Sequence, residues 1–293
     1  MLKQVEVVST NVPRVSFEFF PPKTQEAELS LWKTVERLAP LKPTFVSVTY
    51  GADGSTRDRT HRVIQRISVE TDLNPVPHLT CVGATREEVD SLADGYWSAG
   101  IRKLVALRGD PQGGAEVTYV PYRDGYAYGS DLVKGLMEKH PFELIVGAYP
   151  ETHPEAISEE ADLESLRRKV DAGAKCAITQ FFFDDSVFLK FRDRVAAAGI
   201  EVELIPGILP VTNYKTLVRF ASSCGVSLPP GLTNLFCGLD HDVTTRQQIA
   251  AHVAVSQVEA LSREGVRDFH FYTLNRAELS FTVCHAIGVR GAT

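Results

Sequence analysis

A (β/α)8 TIM barrel is the fold class that three features of the chain predict. Apolar, β-rich runs alternate with helical patterns from end to end, eight such runs fit within 293 residues, and most of them end on a hydrogen-bonding or ionisable residue. Strict βα alternation implies parallel strands joined by crossover helices. Eight units at this length favour a closed barrel over an open sheet, and a barrel gathers its functional groups at the C-terminal ends of its strands. Residues 1–293 read as one domain, because no repeat, linker or low-complexity tract divides them.

The first strand, Val15–Phe19, is cut off by Pro21-Pro22, which lack the N–H a central strand needs. Helix Glu26–Leu38 follows, with apolar residues at three- and four-residue spacing. Strands are read next at Phe45–Tyr50, Val76–Cys81 and Lys103–Leu107. Between the last two, Thr85-Arg86-Glu87-Glu88 opens helix Thr85–Ala99 with a capping residue and acids in the first turn, and Gly100 closes it. Gly109–Gly129 is a long loop rich in Gly, Pro and Tyr, and loops of that length in compact domains are often functional. Strand Glu143–Tyr149 with helix Ala161–Ala172, and strand Cys176–Phe182 with helix Ser186–Ala198, repeat the unit, with Gly173 and Gly199 as helix ends. After strand Glu201–Ile205, the segment Ser222–Val243 reads as an extra helical excursion. A long helix, Thr244–Glu264, and the last strand, Asp268–Tyr272, complete the chain.

Composition narrows the function classes. Hydrophobic content of 44% and charged content of 23% are ordinary for a globular protein, and the net charge of −6 comes without a long basic run. This argues against nucleic acid or an anionic membrane as the main partner. The N-terminus lacks the apolar core of a signal peptide, and no stretch is long enough to span a bilayer. Five scattered cysteines, none in a Cys-x-x-Cys pair, point to a cytoplasmic protein without structural disulfides or a zinc site.

The strand ends supply the candidate site: Glu18, Thr49, His78, Asp110, Tyr149 with His153, Gln180, and Thr273 with Asn275. Glu18 stands between phenylalanines in Phe17-Glu18-Phe19-Phe20, where desolvation would favour the protonated form that a general acid requires. Alone it reads rather as a solvent-facing Glu of an edge strand, since charged residues are mostly exposed, and it is the recurrence of polar groups at the other strand ends that favours the buried acid. His78 alone reads as a satisfied core histidine, Asp110 as part of a Gly-Asp-Pro turn, and Arg167-Arg168-Lys169 as a solvated helix face. That basic trio could instead neutralise a ligand diphosphate. His153 near Glu151 lacks further ligands at helical spacing, so no metal is expected. Neither a Gly-x-Gly-x-x-Gly fingerprint nor a P-loop is present, so a dinucleotide would be held outside a Rossmann fold.

Several strings together carry a resemblance. Ser16-Phe17-Glu18-Phe19-Phe20-Pro21-Pro22-Lys23, Val46-Ser47-Val48-Thr49-Tyr50-Gly51, Pro77-His78-Leu79-Thr80-Cys81, Leu107-Arg108-Gly109-Asp110 and Tyr149-Pro150-Glu151-x-His153-Pro154 run in order, one per strand. So do Ala177-Ile178-Thr179-Gln180-Phe181-Phe182-Phe183-Asp184, Pro206-Gly207-Ile208-Leu209-Pro210 and His270-Phe271-Tyr272-Thr273-Leu274-Asn275-Arg276. From Val15 to the C-terminus the chain resembles the methylenetetrahydrofolate reductases, in their bacterial form without a regulatory domain. The resemblance implies a flavin-dependent barrel in one-carbon metabolism and methionine biosynthesis. Such enzymes reduce 5,10-methylenetetrahydrofolate to 5-methyltetrahydrofolate by a ping-pong route in which NAD(P)H, with NADH favoured, and folate use bound FAD in turn. It further implies that Glu18 is the general acid that protonates the bridging folate nitrogen, and that Asp110 contacts the pterin near the flavin. Gln180, Phe220 and Arg276 would contact substrate. The implied FAD contacts are Thr49, Tyr50, Ala52, His78, Arg108, Gly109, Asp110, Tyr128, Gly129, Tyr149, His153, Asp162, Ser165, Arg168 and Lys169.

The chain departs from the enteric pattern in a longer Gly109–Gly129 loop, in Gly129 for alanine, in Ser165 for asparagine and in Thr216 for glutamine. The expected partners are methylenetetrahydrofolate and NADH, with assembly as a homo-oligomer. Two rivals remain at this level: a folate-dependent one-carbon transferase with no redox step, and a folate carrier, which gives no reason for an acid placed like Glu18.

Overall fold

The computed structural model describes residues 12–50, 54–111, 113, 117–211 and 213–291. Its strands are β1 (Arg14–Phe19), β2 (Val46–Val48), β3 (Pro75–Thr80), β4 (Lys103–Leu107), β5 (Glu143–Ala148), β6 (Cys176–Phe181), β7 (Glu203–Ile208) and β8 (Asp268–Tyr272). They pair in chain order, all parallel, and β8 closes onto β1, which makes the (β/α)8 barrel. Around it lie α1 (Gln25–Leu38), α2 (Gly54–Glu70), α3 (Arg86–Ser98), α4 (Gly129–Lys139), α5 (Glu159–Asp171), α6 (Asp185–Ala197), α7 (Tyr214–Cys224), α8 (Pro230–Phe236), α9 (Val243–Arg263) and α10 (Ala277–Ala286). Among the described residues, no helix is long and apolar enough to cross a membrane.

The period of two along each strand sorts the side chains into two cores. On β1, Val15, Phe17 and Phe19 join the large cluster between barrel and helices, with Leu31, Val35 and Leu38 of α1. Ser16 and Glu18 alternate with them and face the barrel interior. That interior is plugged at mid-height by Phe45, Val76, Val105, Ile145, Ile178 and Ile205. Ion pairs close the base, with Arg14 Nε donating to Asp268 Oδ1 at 2.7 Å and Lys103 beside Glu143 at 2.9 Å. The space above the plug is left for function.

Local signals hold where the chemistry is local. Thr85 and Glu88 form the reciprocal capping box of α3. Gly100, Gly173 and Gly199 adopt left-handed φ values of 85°, 125° and 68° and end their helices. The expected bounds fail at β2, which spans three residues, and at β7, which runs on to Ile208. The expected strand ends at Ile205, yet Pro206 and Gly207 both lie within β7. A register shift in the β6–β7 pair accommodates them, and the Gly207 N–H donates to Thr179 Oγ1 at 3.0 Å instead of to a regular ladder partner. Glycine is required there, because an added Cβ would land on the Thr179 carbonyl oxygen and 2.6 Å from the Tyr272 ring. The excursion after β7 is real but starts earlier than Ser222. It consists of α7 and α8, packed through Leu217, Ala221, Leu232 and Phe236 onto Phe181, Leu209 and Leu279.

Candidate active site

Glu18 sits one residue before the end of β1 and projects into the barrel mouth, its side chain only 11% exposed. The edge-strand reading fails, since a closed barrel has no edge. The source of burial also differs from the sequence expectation. Phe17 and Phe19 turn to the helix layer and Phe20 is exposed, so imidazoles rather than phenylalanines surround the carboxyl. Glu18 Oε2 lies 3.5 Å from His78 Nε2 and 3.7 Å from His270 Nε2. Burial lowers the His78 pKa to about 4, with the nearby Glu18 charge acting in the opposite sense, so the ring is neutral at neutral pH. His78 Nε2 has no hydrogen bond among the described residues, which leaves it to answer Glu18 or a ligand.

His270 is fully buried beneath Glu18 and is held on every side. Its Nδ1 is 2.8 Å from Ser16 Oγ, its Nε2 is 3.5 Å from Ser47 Oγ, Phe45 stacks on its face and Tyr272 meets its edge. Tyr272 in turn donates its hydroxyl to the Thr179 carbonyl at 2.8 Å, and burial raises its pKa well above the usual value. A cavity of about 150 Å3 opens above this floor, lined by Glu18, His78, Leu107, Tyr149, Gln180 and Tyr272. Gln180 Oε1 accepts the Phe181 N–H at 3.0 Å. The barrel thus presents one carboxyl, neutral rings and an amide to whatever enters its mouth.

The β4–β5 side of the mouth carries two basic side chains, Lys169 and Arg108. Lys169 Nζ donates to the Gly147 carbonyl at 2.8 Å, and burial lowers its pKa. Arg108, 19% exposed, forms a fork-to-fork pair with Glu155. A half-buried ammonium with one carbonyl acceptor, beside a guanidinium and the small residues Gly147 and Ala148, fits a flat anionic cofactor such as FAD.

Comparison with known proteins decides the family. A family model described as methylenetetrahydrofolate reductase matches residues 3–288. The chain is 54% identical over 277 residues to the 5,10-methylenetetrahydrofolate reductase of Escherichia coli, covering 94% of this chain and 91% of that one. The chain belongs to the methylenetetrahydrofolate reductase family. The enzyme of the same name from Pectobacterium carotovorum is also 54% identical over 277 residues, covering 94% of this chain and 90% of its own. Among solved structures, a Clostridium thermocellum protein that binds two copies of 5-methyl-5,6,7,8-tetrahydrofolic acid aligns with a TM-score of 0.61 over 94% of both chains. At 18% identity, it speaks for the fold alone.

The residues that the family pattern singles out fall into distinct places. Glu18, His78, Tyr149 and Gln180 line the cavity, and Thr49 and Tyr50 are half-buried just past β2. Phe220 on α7 is 43% exposed and stacks on Phe181 at 5.2 Å. Asp110 lies three residues past β4 with its side chain 85% exposed, 4.0 Å from Arg108. It is close enough to help raise the Tyr149 pKa, although burial is the larger cause. Asp162 accepts the His153 N–H at 2.9 Å, His153 Nδ1 accepts the Glu155 N–H at 3.0 Å, and the His153 ring packs edge-on against Tyr149. Asp162 thereby braces the turn after β5. Arg168 is mostly exposed beside Glu164, so within Arg167-Arg168-Lys169 it is Lys169 that turns to the rim. Tyr128 caps α4 and is exposed, Ser165 is half-buried on α5, and Arg276 is exposed at the start of α10. A Cβ at Gly129 would sit 3.6 Å from Arg108 N and 3.9 Å from Lys169 Cε, so nothing steric demands glycine there. Gly109, at φ 83°, is pressed against Thr80 and Val82. Ala52 lies outside the described residues.

Thr273 and Asn275, expected among the site groups, serve the scaffold. Thr273 Oγ1 donates to the Glu18 carbonyl at 2.6 Å, and the Asn275 amide exchanges two 2.9 Å bonds with the Phe20 backbone. The site residues that strand ends did not reveal are His270 and Tyr272. The available signal was their inward parity on β8, two and four residues beyond Asp268.

Proposed function

We propose that residues 1–293 act as one catalytic barrel that reduces 5,10-methylenetetrahydrofolate to 5-methyltetrahydrofolate with NADH through bound FAD, in a ping-pong sequence. The observation that carries this reading is the Glu18 carboxyl, 11% exposed, over the neutral His78 ring at the cavity floor. FAD, when bound, supplies the hydride relay between the two substrates. Glu18 delivers the proton to the bridging folate nitrogen, which opens the five-membered ring so that the one-carbon unit becomes electrophilic. Gln180 at the cavity wall orients folate and nicotinamide by its amide, and Phe220, already stacked on Phe181, offers a flat face to either. Arg276 contributes charge to the substrate end. Asp110 places negative charge at the rim, where it opposes reduction of the cofactor. Arg108 and Lys169 would hold the cofactor's anionic portion, and Thr49, His78 and Tyr149 would contribute further contacts to it.

An absorption spectrum of the purified protein, followed anaerobically with NADH and then methylenetetrahydrofolate, tests the reading. Flavin bands should bleach with NADH and return with the folate. Bleaching only with NADPH would change the donor, whereas failure to take up FAD would reject the reductase reading and favour the one-carbon transferase.

A further inference from the structure

The long loop between β4 and α4 does work that the family pattern does not assign. At Gly125 and Tyr126 it is pinned to α3 and α4. Tyr126 is buried, donates its hydroxyl to Asp90 Oδ1 at 2.7 Å, and lies where a Cβ on Gly135 would collide with it. Arg86 covers the Tyr126 ring at 5.0 Å and donates to the Gly125 carbonyl at 3.3 Å. This anchored segment carries Tyr119 back over the site, where its hydroxyl donates to the Ala127 carbonyl at 2.7 Å.

The Tyr119 ring lies against the Arg108 guanidinium, 4.4 Å from Cζ to ring centroid. The carboxylate of Glu155, which the Arg108 fork holds below the usual carboxylate range, grips both terminal nitrogens, and Nε donates to the Gly109 carbonyl at 3.1 Å. Among the described residues, three of the five guanidinium N–H groups are so engaged, which leaves two for a ligand. We propose that Tyr119 and Glu155 form a two-jawed clamp that presets Arg108 for the anionic part of the flavin dinucleotide, with Tyr119 as a positioning residue supplied by the long loop. The inference rests on the flavin reading above. A free arginine loses much rotamer freedom when it meets a phosphate, and a clamped one has lost it already. The ring also shields the guanidinium from water without consuming an N–H.

The test is FAD affinity of the full-length apoprotein, measured by quenching of flavin fluorescence. Tyr119→Leu should raise the FAD Kd about five- to tenfold, and Tyr119→Phe, which keeps the ring, should restore it to within about twofold of the parent. In an Arg108→Met background, Tyr119→Leu should add nothing further, because the ring acts through the guanidinium. A parent-like Kd for Tyr119→Leu, or an equal loss in the Arg108→Met background, would overturn the clamp while leaving the flavin reading intact. A parent protein that binds no FAD would sink both. Thermal melting of the apoproteins identifies a folding defect, and Glu155→Gln, which weakens the other jaw, should raise the Kd independently of it.

Discussion

At the scale of the residue, the site is governed by where strand parity sends each side chain. Glu18 and its two phenylalanine neighbours occupy consecutive positions of β1 but belong to different cores. Its chemistry is therefore set by residues distant in sequence, His78 and His270. That is why the sequence points to a buried acid but misidentifies what buries it. His78 carries a pH consequence. Its folded pKa of about 4 lies below the usual 6.5, so the unfolded chain binds more protons between these values. Stability from keeping His78 neutral is fully present above pH 6.5 and is lost as pH falls toward 4, by up to about 3 kcal/mol. Urea titrations at pH 7 and pH 5 should show this loss, and His78→Asn should reduce it. An unchanged pH dependence in His78→Asn would show that another group is responsible.

At the scale of the element, the end of β1 is fixed by the turn after β8. Leu274 and Asn275 both adopt left-handed φ values, 51° and 53°, which is uncommon outside glycine. The turn is held by the Asn275 amide on the Phe20 backbone and by Thr34 Oγ1 donating to the Asn275 carbonyl at 2.9 Å. Asparagine tolerates this backbone and supplies both bonds. Asn275→Ala should cost about 1–3 kcal/mol in chemical denaturation and slow any step that depends on Glu18 placement. Asn275→Gly, which relieves the backbone but not the lost bonds, should recover only part of the stability. Gly207 is a sharper case. A methyl group there meets backbone on one side and Tyr272 on the other, so Gly207→Ala should destabilise by roughly 2–4 kcal/mol in thermal melts. A melting temperature equal to the parent's would mean that β7 has slack it does not show. Neither constraint is visible in the local sequence, because Asn275 meets β1 only through barrel closure and Gly207 meets side chains and backbone of its neighbours β6 and β8.

At the scale of the whole molecule, alternation and length sufficed for the barrel, and β4 and β8 fall on the residues expected for them. Elements whose ends are set by local chemistry, such as the capped α3, were legible. Elements whose ends are set by neighbours, such as β7 beside the β6 register shift, were not. The same division runs through the site. Glu18, His78, Tyr149 and Gln180 lie at readable strand ends and converge on one cavity. The His270 floor joins β8 to β1, which only closure brings together, while the Arg108–Glu155 pair and the Tyr119 contact depend on how the loops after β4 and β5 fold back on one another. The proposed delivery of a proton from Glu18 to the folate is tested most directly by separating the two half-reactions of Glu18→Gln by anaerobic stopped-flow absorbance. NADH should still bleach the flavin at a rate within about tenfold of the parent, while return of the flavin bands on adding methylenetetrahydrofolate should slow by at least about a hundredfold. Equal losses in both halves, or parent-like reoxidation by the folate, would contradict the assignment of Glu18 as the acid.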